Sequence, residues 1–175
     1  CSGTNIYFTL DGETWLQINR DSVAGGGDNY STFTGRSALT RTNQTECTFA
    51  LYEGDSTYGE IIITDDSAGT KPFYFKITGS GALSGRTYFA KDITISSSVT
   101  AKICVIHDKH LVVAGDTTNP NTIYYSGTSD IDDFTTSGSG TIALDDKVVG
   151  LQSFRDDLII FCQNSIYKLE NINNS

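Results

Sequence analysis

Short runs in which apolar and polar residues alternate recur along the chain. Clusters of Gly, Ser, Thr, Asn and Asp interrupt them every 8 to 12 residues. A period of two turns successive side chains to opposite faces, and turn clusters at that spacing predict many short antiparallel strands. The predicted strands are Asn5–Leu10, Trp15–Asn19, Cys47–Tyr52, Glu60–Thr64, Phe73–Thr78, Thr87–Ala90, Ile93–Ser96, Thr100–Ile106, Leu111–Ala114, Thr122–Ser126, Thr141–Leu144, Val148–Phe154, Leu158–Cys162 and Ser165–Leu169. No segment of ten or more residues carries a 3.6-residue apolar period, so almost no helix is expected. The Gly- and Ser/Thr-rich stretch 21–43 reads as a long loop, with room for one strand near Tyr30–Phe33.

The strand pattern itself repeats. Ile106-His107-Asp108-Lys109-His110-Leu111-Val112-Val113 followed by Ile123-Tyr124 matches Phe154-Arg155-Asp156-Asp157-Leu158-Ile159-Ile160 followed by Ile166-Tyr167. Leu111 and Leu158 are 47 positions apart, Tyr124 and Tyr167 are 43. Glu60-Ile61-Ile62-Ile63 with Phe73-Tyr74-Phe75 is a weaker upstream copy, 50 positions from Tyr74 to Tyr124, and Ile6-Tyr7-Phe8-Thr9 a fragmentary first one. About four short strands per period of this length is the footprint of propeller blades. A lone four-stranded sheet cannot bury both faces, whereas blades stacked radially cover one another and keep their edges short. The expected fold is all-β and antiparallel, with β-propeller-like blades best defined over 100–169. A β-sandwich is the alternative, although it demands no such repeat.

Composition narrows the function classes. The 175 residues hold 12 Lys and Arg against 21 Asp and Glu, a net charge of −9, and 38% are hydrophobic. With 17 Gly added, the apolar share is ordinary for a globular domain. No run approaches the ~18 apolar residues of a membrane-spanning helix. The acidic balance opposes an electrostatic grip on nucleic acid. Four Cys (Cys1, Cys47, Cys104, Cys162) include no C-x-x-C pair, and Cys104 and Cys162 sit in apolar strands as buried thiols would. The length suits one all-β domain over 1–175, or a segment of a larger propeller. A start on Cys1 without Met reads as an excised segment, or alternatively as the acylated Cys of a surface lipoprotein.

Residues with chemical potential read mostly as fold devices. Thr9-Leu10-Asp11-Gly12-Glu13-Thr14-Trp15 resembles the Asp-box hairpin, one residue short: Asp11 and Gly12 make the turn and Trp15 packs between strands. Ser126–Phe134 is a degenerate hairpin of the same kind, containing Asp130. Asn119-Pro120 and Asp156 mark further turns. His107 and His110 flank a tight turn and are expected to be solvated. Asp130-Ile131-Asp132-Asp133 lacks the Gly and the closing Glu of a calcium loop. Five Arg without a converging pattern do not suggest sialidase chemistry. The expectation is a non-enzyme without catalytic residues, cofactor or metal.

Leu111–Asp116, Asn119–Ser126, Asp130–Phe134 and Val149–Phe161 running into Ser165-Ile166-Tyr167 together form a string similar to the propeller-like region of tail nozzle and head-to-tail hub proteins of short-tailed bacteriophages. The resemblance covers about Ile103–Leu169. It implies a non-catalytic structural component of the virion tail, assembled in the host cytoplasm, that lines or seals the DNA conduit. Its implied partners are other virion proteins and copies of itself in a ring, with genomic DNA passing without specific binding. An acidic lumen would repel phosphate and suit that passage. The alternatives are a glycan-binding or glycan-cleaving propeller, which the Asp-box-like hairpin and 9 Tyr suggest, and the propeller-bearing lipoprotein.

Overall fold

The computed structural model describes residues 6–8, 13, 16–18, 47–53, 60–65, 71–78, 87–96 and 99–172. Within them the chain is all-β and antiparallel, with no α-helix. The loop expected over 21–43 lies outside the described residues. Strands β1 (Ile6–Phe8) and β2 (Leu16–Ile18) form a hairpin. Two four-stranded meanders follow. The first sheet is β3 (Cys47–Tyr52), β4 (Glu60–Asp65), β5 (Phe73–Thr78) and β6 (Thr87–Asp92); the second is β7 (Ile103–His107), β8 (His110–Ala114), β9 (Thr122–Tyr125) and β10 (Gly140–Ala143). A third sheet has three strands, β11 (Val148–Phe154), β12 (Asp157–Cys162) and β13 (Ile166–Leu169).

Period-two alternation explains how the sheets stack. On β8 every residue is buried, because the strand is covered on both sides. Leu111 and Val113 point into one core with Cys104, Tyr124 and Ile131 of the second sheet region and Ala50, Tyr52, Ile62 and Tyr74 of the first. Val112 and Ala114 point the other way, with Ile123 and Tyr125, against Val148, Leu158, Ile160 and Cys162 of the third sheet. The second sheet is thus the middle layer. The first strands of the sheets carry much of the contact, β3 lying on β7 and β7 on β11.

The two C-terminal repeat copies superpose in register. Leu111 and Leu158 are each the second residue of the second strand, directly after a two-residue turn, and both are fully buried. Tyr124 pairs with Val113 and Tyr167 with Ile160, each two residues beyond that leucine, and both tyrosines face the preceding sheet. The upstream copy departs from this. Tyr74 faces the following sheet, as Tyr125 does, so the match of Tyr74 to Tyr124 is displaced by one residue and by one face. Ile93–Ser96 is also corrected: it pairs with no strand. Its alternation is real, because Ile93 and Ile95 plug the core between the first two sheets while Thr94 and Ser96 face solvent. A connecting segment that crosses over a core shows the same period as a strand without making a ladder.

The β7–β8 turn is tight. Asp108 and Lys109 both take positive φ, 46° and 64°, which is the backbone of a type I′ hairpin, although the sequence supplies neither Asn nor Gly. A side chain at Lys109 costs about 1 kcal/mol in this region. Asp108→Asn with Lys109→Gly is therefore expected to raise the melting temperature by about 2–4 °C in a calorimetric scan. An unchanged or lower value would show that this turn is not type I′ in solution.

Candidate functional site

The first strands of the three sheets all begin beside one hollow of about 660 Å³, whose lining includes Thr48, Lys102, Asp116, Pro120, Lys147 and Leu151. Threonines tie the first two sheets together there. Thr64 Oγ1 donates to the Lys102 carbonyl at 2.8 Å and Thr48 Oγ1 to the same oxygen at 3.2 Å. The second and third sheets are joined by the turn after β8. Val148 N–H donates to Pro120 O at 2.9 Å, while the bonds from Leu144 N–H to Asn121 O at 2.9 Å and from Asn121 Nδ2 to Leu144 O at 2.6 Å continue the β9–β10 pairing and brace the turn from within the second sheet.

Asp116 organises that turn. Its Oδ1 accepts from Thr100 N–H (3.1 Å) and Thr100 Oγ1 (3.3 Å), and its Oδ2 from Asn119 N–H (3.0 Å) and Nδ2 (3.2 Å). Burial works to raise its pKa, but these donors outweigh it and leave the carboxyl below the ordinary range. A pKa lowered on folding adds stability above the unfolded value near 3.8, and that stability is lost as pH falls through the folded value. Asp116→Asn turns an amide toward the two Asn119 donors and is expected to cost about 2–3 kcal/mol at pH 7. In denaturant titrations at several pH values the gap between parent and variant should shrink below pH 4. A constant gap would remove the ionised carboxylate from this role.

At the other end of β7 and β11 a second hollow of about 340 Å³ is lined by His107, Asp108, Arg155, Asp156, Glu170 and Asn171 among others. The structure corrects the expectation of solvated histidines: His107 and His110 are both buried. His107 Nδ1 lies 2.9 Å from Ser153 Oγ, bridging the second and third sheets. Burial, chiefly, holds its pKa below the usual value, with His110 adding to that while Asp108, Asp156 and Asp157 oppose it. His110 Nδ1 is 2.5 Å from Ser126 O. A carbonyl only accepts, so Nδ1 carries the hydrogen. Thr128 Oγ1 lies 3.2 Å from Nε2, and Tyr125 meets the ring edge-on at 5.9 Å between centroids. Ser126 Oγ accepts from Leu111 N–H and donates to Gly127 O. These groups hold strands β8 and β9 and the following turn together.

Of the residues singled out from sequence, Asp11, Gly12 and Trp15 lie outside the described residues. Asn119 and Pro120 sit in the Asp116 turn just described. Asp156 is the second residue of the β11–β12 turn, where Arg155 takes a φ of 57°. Asp130 bridges back to Gly127, and Gly127 N–H donates to Asp133 O at 2.8 Å. Burial and then Asp132 and Asp133 push the Asp130 pKa up. Phe134, the aromatic of this degenerate hairpin, packs on the core between the first two sheets. Asn119-Pro120, Asp130 and Asp156 therefore occupy separate turns and do not converge. Among the described residues no group of three His, Cys, Asp or Glu could hold a metal ion, and no helix is long and apolar enough to cross a membrane.

Compared with known proteins, the chain matches no family model, no curated protein and no solved structure.

One residue of consequence was missed in the sequence and another was read only in part. Asp116 had a readable signal, an Asp three residues before Asn at a turn. Asp146 reads in the sequence only as one of a pair of turn acids, because Asn164 and Ser165, which it holds, lie 18 and 19 positions along the chain. Its Oδ2 accepts from Asn164 N–H (2.6 Å) and Ser165 Oγ (3.1 Å), and its Oδ1 from Lys147 N–H (2.8 Å), closing the β12–β13 turn onto the start of β11. Cys104 shows what the core does to a nucleophile: burial above all pushes its thiol up to about 12. In a variant retaining Cys104 alone, folded protein at pH 8 should react with a disulfide reagent about a thousandfold more slowly than urea-unfolded protein. Equal rates would place Cys104 at an accessible surface.

Proposed function

We propose that the three sheets are blades of a β-propeller-like wheel, and that the protein is a non-enzymatic structural component of a tailed-phage virion, part of the tail nozzle or head-to-tail hub around the DNA conduit. The observation that carries the wheel is the shared placement of β3, β7 and β11. They start beside one hollow, they pack on one another in order, and the sheet between the outer two is covered on both faces. Radial stacking brings first strands together at an axis in this way. A sandwich has two facing layers and leaves the outer face of each sheet uncovered.

The hydrogen-bonded polar groups, four of them buried and Asp146 half-buried, support a structural role. Asp116, Asp146, His107, His110 and Ser126 spend their hydrogen bonds on joining turns and sheets. One part of the expectation changes. On this reading the described acids do not gather on the axial side: β3, β7 and β11 contain no Asp or Glu, and the charged residues lining the hollow are two lysines, Lys102 and Lys147, and one acid, Asp116. The described acids lie mostly in turns at the rims, Asp108, Asp145, Asp146 and Asp156 among them. The proposed role is that of a wall element of the conduit.

The test is location. Antibody against this chain, applied to tailed particles purified from its source, should label the tail or neck in electron micrographs, and its peptides should co-purify with the particles in a density gradient. Particles free of the chain overturn the virion reading. Specific binding on a glycan array by the purified chain would favour the glycan-recognising alternative instead.

A further inference from the structure

Of the three sheets from β3 to β13, the third alone keeps a whole face open among its described residues. The second lies between the other two. On the first, Ala50, Tyr52, Ile62 and Tyr74 meet the second sheet, and Ile63, Phe73 and Phe75 on the opposite face are buried too, while Phe49 and Leu51 stay exposed on its edge strand. On the third sheet Leu158, Ile160 and Cys162 face the second, and the register fixes what lies on the other side. Gly150, Phe161 and Ile166 form one row across its strands, Gln152, Ile159 and Lys168 the next, and Phe154 and Asp157 a third. None of these eight is buried, and Phe154, Phe161 and Ile166 are 57%, 40% and 69% exposed. Phe161, Ile166 and Ile159 adjoin one another, and a continuous apolar block on one sheet face marks a contact surface where single exposed residues would not.

The charges on this face suit a second copy of itself. The chain as a whole is acidic, with a net charge of −9, but here two cations stand with two acids. Lys168 Nζ lies 3.7 Å from Asp157 Oδ2 and 2.7 Å from Glu170 Oε1. The Arg155 guanidinium lies over the Phe154 ring, 5.4 Å from its centroid, and has no carboxylate partner among the described residues. Two such faces meet without the net repulsion that two acidic surfaces would bring. A face that occurs once in each chain can meet another copy only by its like, and such an isologous contact is complete as a pair.

We infer that the open faces of the third sheets of two copies pack together about a two-fold axis running along β12. That axis lays β11 of one copy over β13 of the other, row against row. Phe161 and Ile159 meet their own counterparts, and Ile166 lies over Gly150, which carries no side chain. At the other end of the face Arg155, held on Phe154, comes opposite Glu170 of the second copy. Asp157 meets its counterpart, each with Lys168 of its own copy beside it. Three short strands present a contact on the order of 1,000 Å² over both copies, the low end of specific interfaces, so the pair is expected to form at micromolar concentrations. The inference stands on the third sheet alone and needs neither the wheel nor the virion. It gives each stack of sheets an end, with two stacks joined back to back.

The experiment uses the whole 175-residue chain. Light scattering behind size-exclusion chromatography should give twice the chain mass at about 100 μM and approach the chain mass near about 1 μM. Ile166→Asp should weaken the dimer roughly thirtyfold or more. Arg155→Glu and Glu170→Arg should each weaken it roughly tenfold, since each variant sets like charges opposite one another at both ends of the contact. Mixing these two variants should give a one-to-one complex tighter than either variant alone, because both ends then join opposite charges. All three positions are exposed, so far-UV circular dichroism should be unchanged; if Ile166→Asp unfolds, Ile166→Ser is to give the same loss. A parental chain still monomeric at about 100 μM overturns the inference and leaves this face to another protein or a further segment. An Ile166→Asp variant that dimerises like the parent, or a mixture no tighter than its parts, overturns it as well. A monomeric chain found in phage tails defeats this pairing alone, whereas a dimer absent from phage particles defeats the virion reading alone.

Discussion

Leu111→Ala and Leu158→Ala are each expected to lose about 3 kcal/mol of stability, seen as a fall of about 6–12 °C in melting temperature. Both leucines are fully buried at the same register position of their sheets. They serve different interfaces, Leu111 between the first and second sheets and Leu158 between the second and third. Each truncation removes apolar contact from packed neighbours on two sheets and leaves a cavity that flat, hydrogen-bonded sheets cannot collapse to fill. Because the two sites belong to separate clusters, the double variant should lose the sum to within about 0.5 kcal/mol. Chemical denaturation with an unchanged m-value checks this. A loss below about 1 kcal/mol at either site would mean that its interface is not packed as described.

Gly140→Val is expected to be as damaging, and Gly140→Ala nearly so. A Cβ at Gly140 would stand 2.5 Å from the Tyr125 hydroxyl oxygen and 2.8 Å from the ring carbon that bears it. Gly140 is the direct cross-strand partner of Tyr125, so the strand cannot slide to relieve the clash without losing its ladder. Nor can the ring swing away cheaply, since Tyr125 is buried against the third sheet and meets the His110 ring edge-on. Overpacking of this kind costs about 1–3 kcal/mol for one methyl group. Tyr125→Leu should be destabilising in the parent yet should recover part of the loss in the Gly140→Ala background. Strictly additive losses in that double-mutant cycle would show that the glycine is required for a reason other than the ring.

Strand positions were largely legible because a strand advertises itself locally. Cys47–Tyr52, Phe73–Thr78 and Val148–Phe154 begin and end where alternation and turn residues placed them. The C-terminal repeat was legible for the same reason: a two-residue turn followed by Leu-apolar-apolar fixes both the hairpin and its register. The failures share a cause as well. Ile93–Ser96 alternates without pairing, because alternation reports which side chains are buried and not whether a ladder partner exists. Tyr74 was aligned with Tyr124 by sequence, but a shift of one residue reverses the face, and only the neighbouring sheets reveal which face is which. His107 and His110 flank a polar turn and read as wet, whereas the adjoining sheet and the Ser126–Thr128 segment bury them.

The amino-acid order alone therefore specifies that this is an all-β chain of short antiparallel strands with a repeated hairpin unit, since these depend on contacts a few residues apart. Which sheet lies between the others, which face of each is covered, and why Asp116 and Asp146 are committed to distant turns emerged only with the folded molecule. Those features depend on side chains 16 to 19 positions away, as for Asp116 with Thr100 and Asp146 with Ser165, or on another sheet altogether. A pattern of period two names an inside and an outside for every strand, but it does not name the neighbour that the inside will meet.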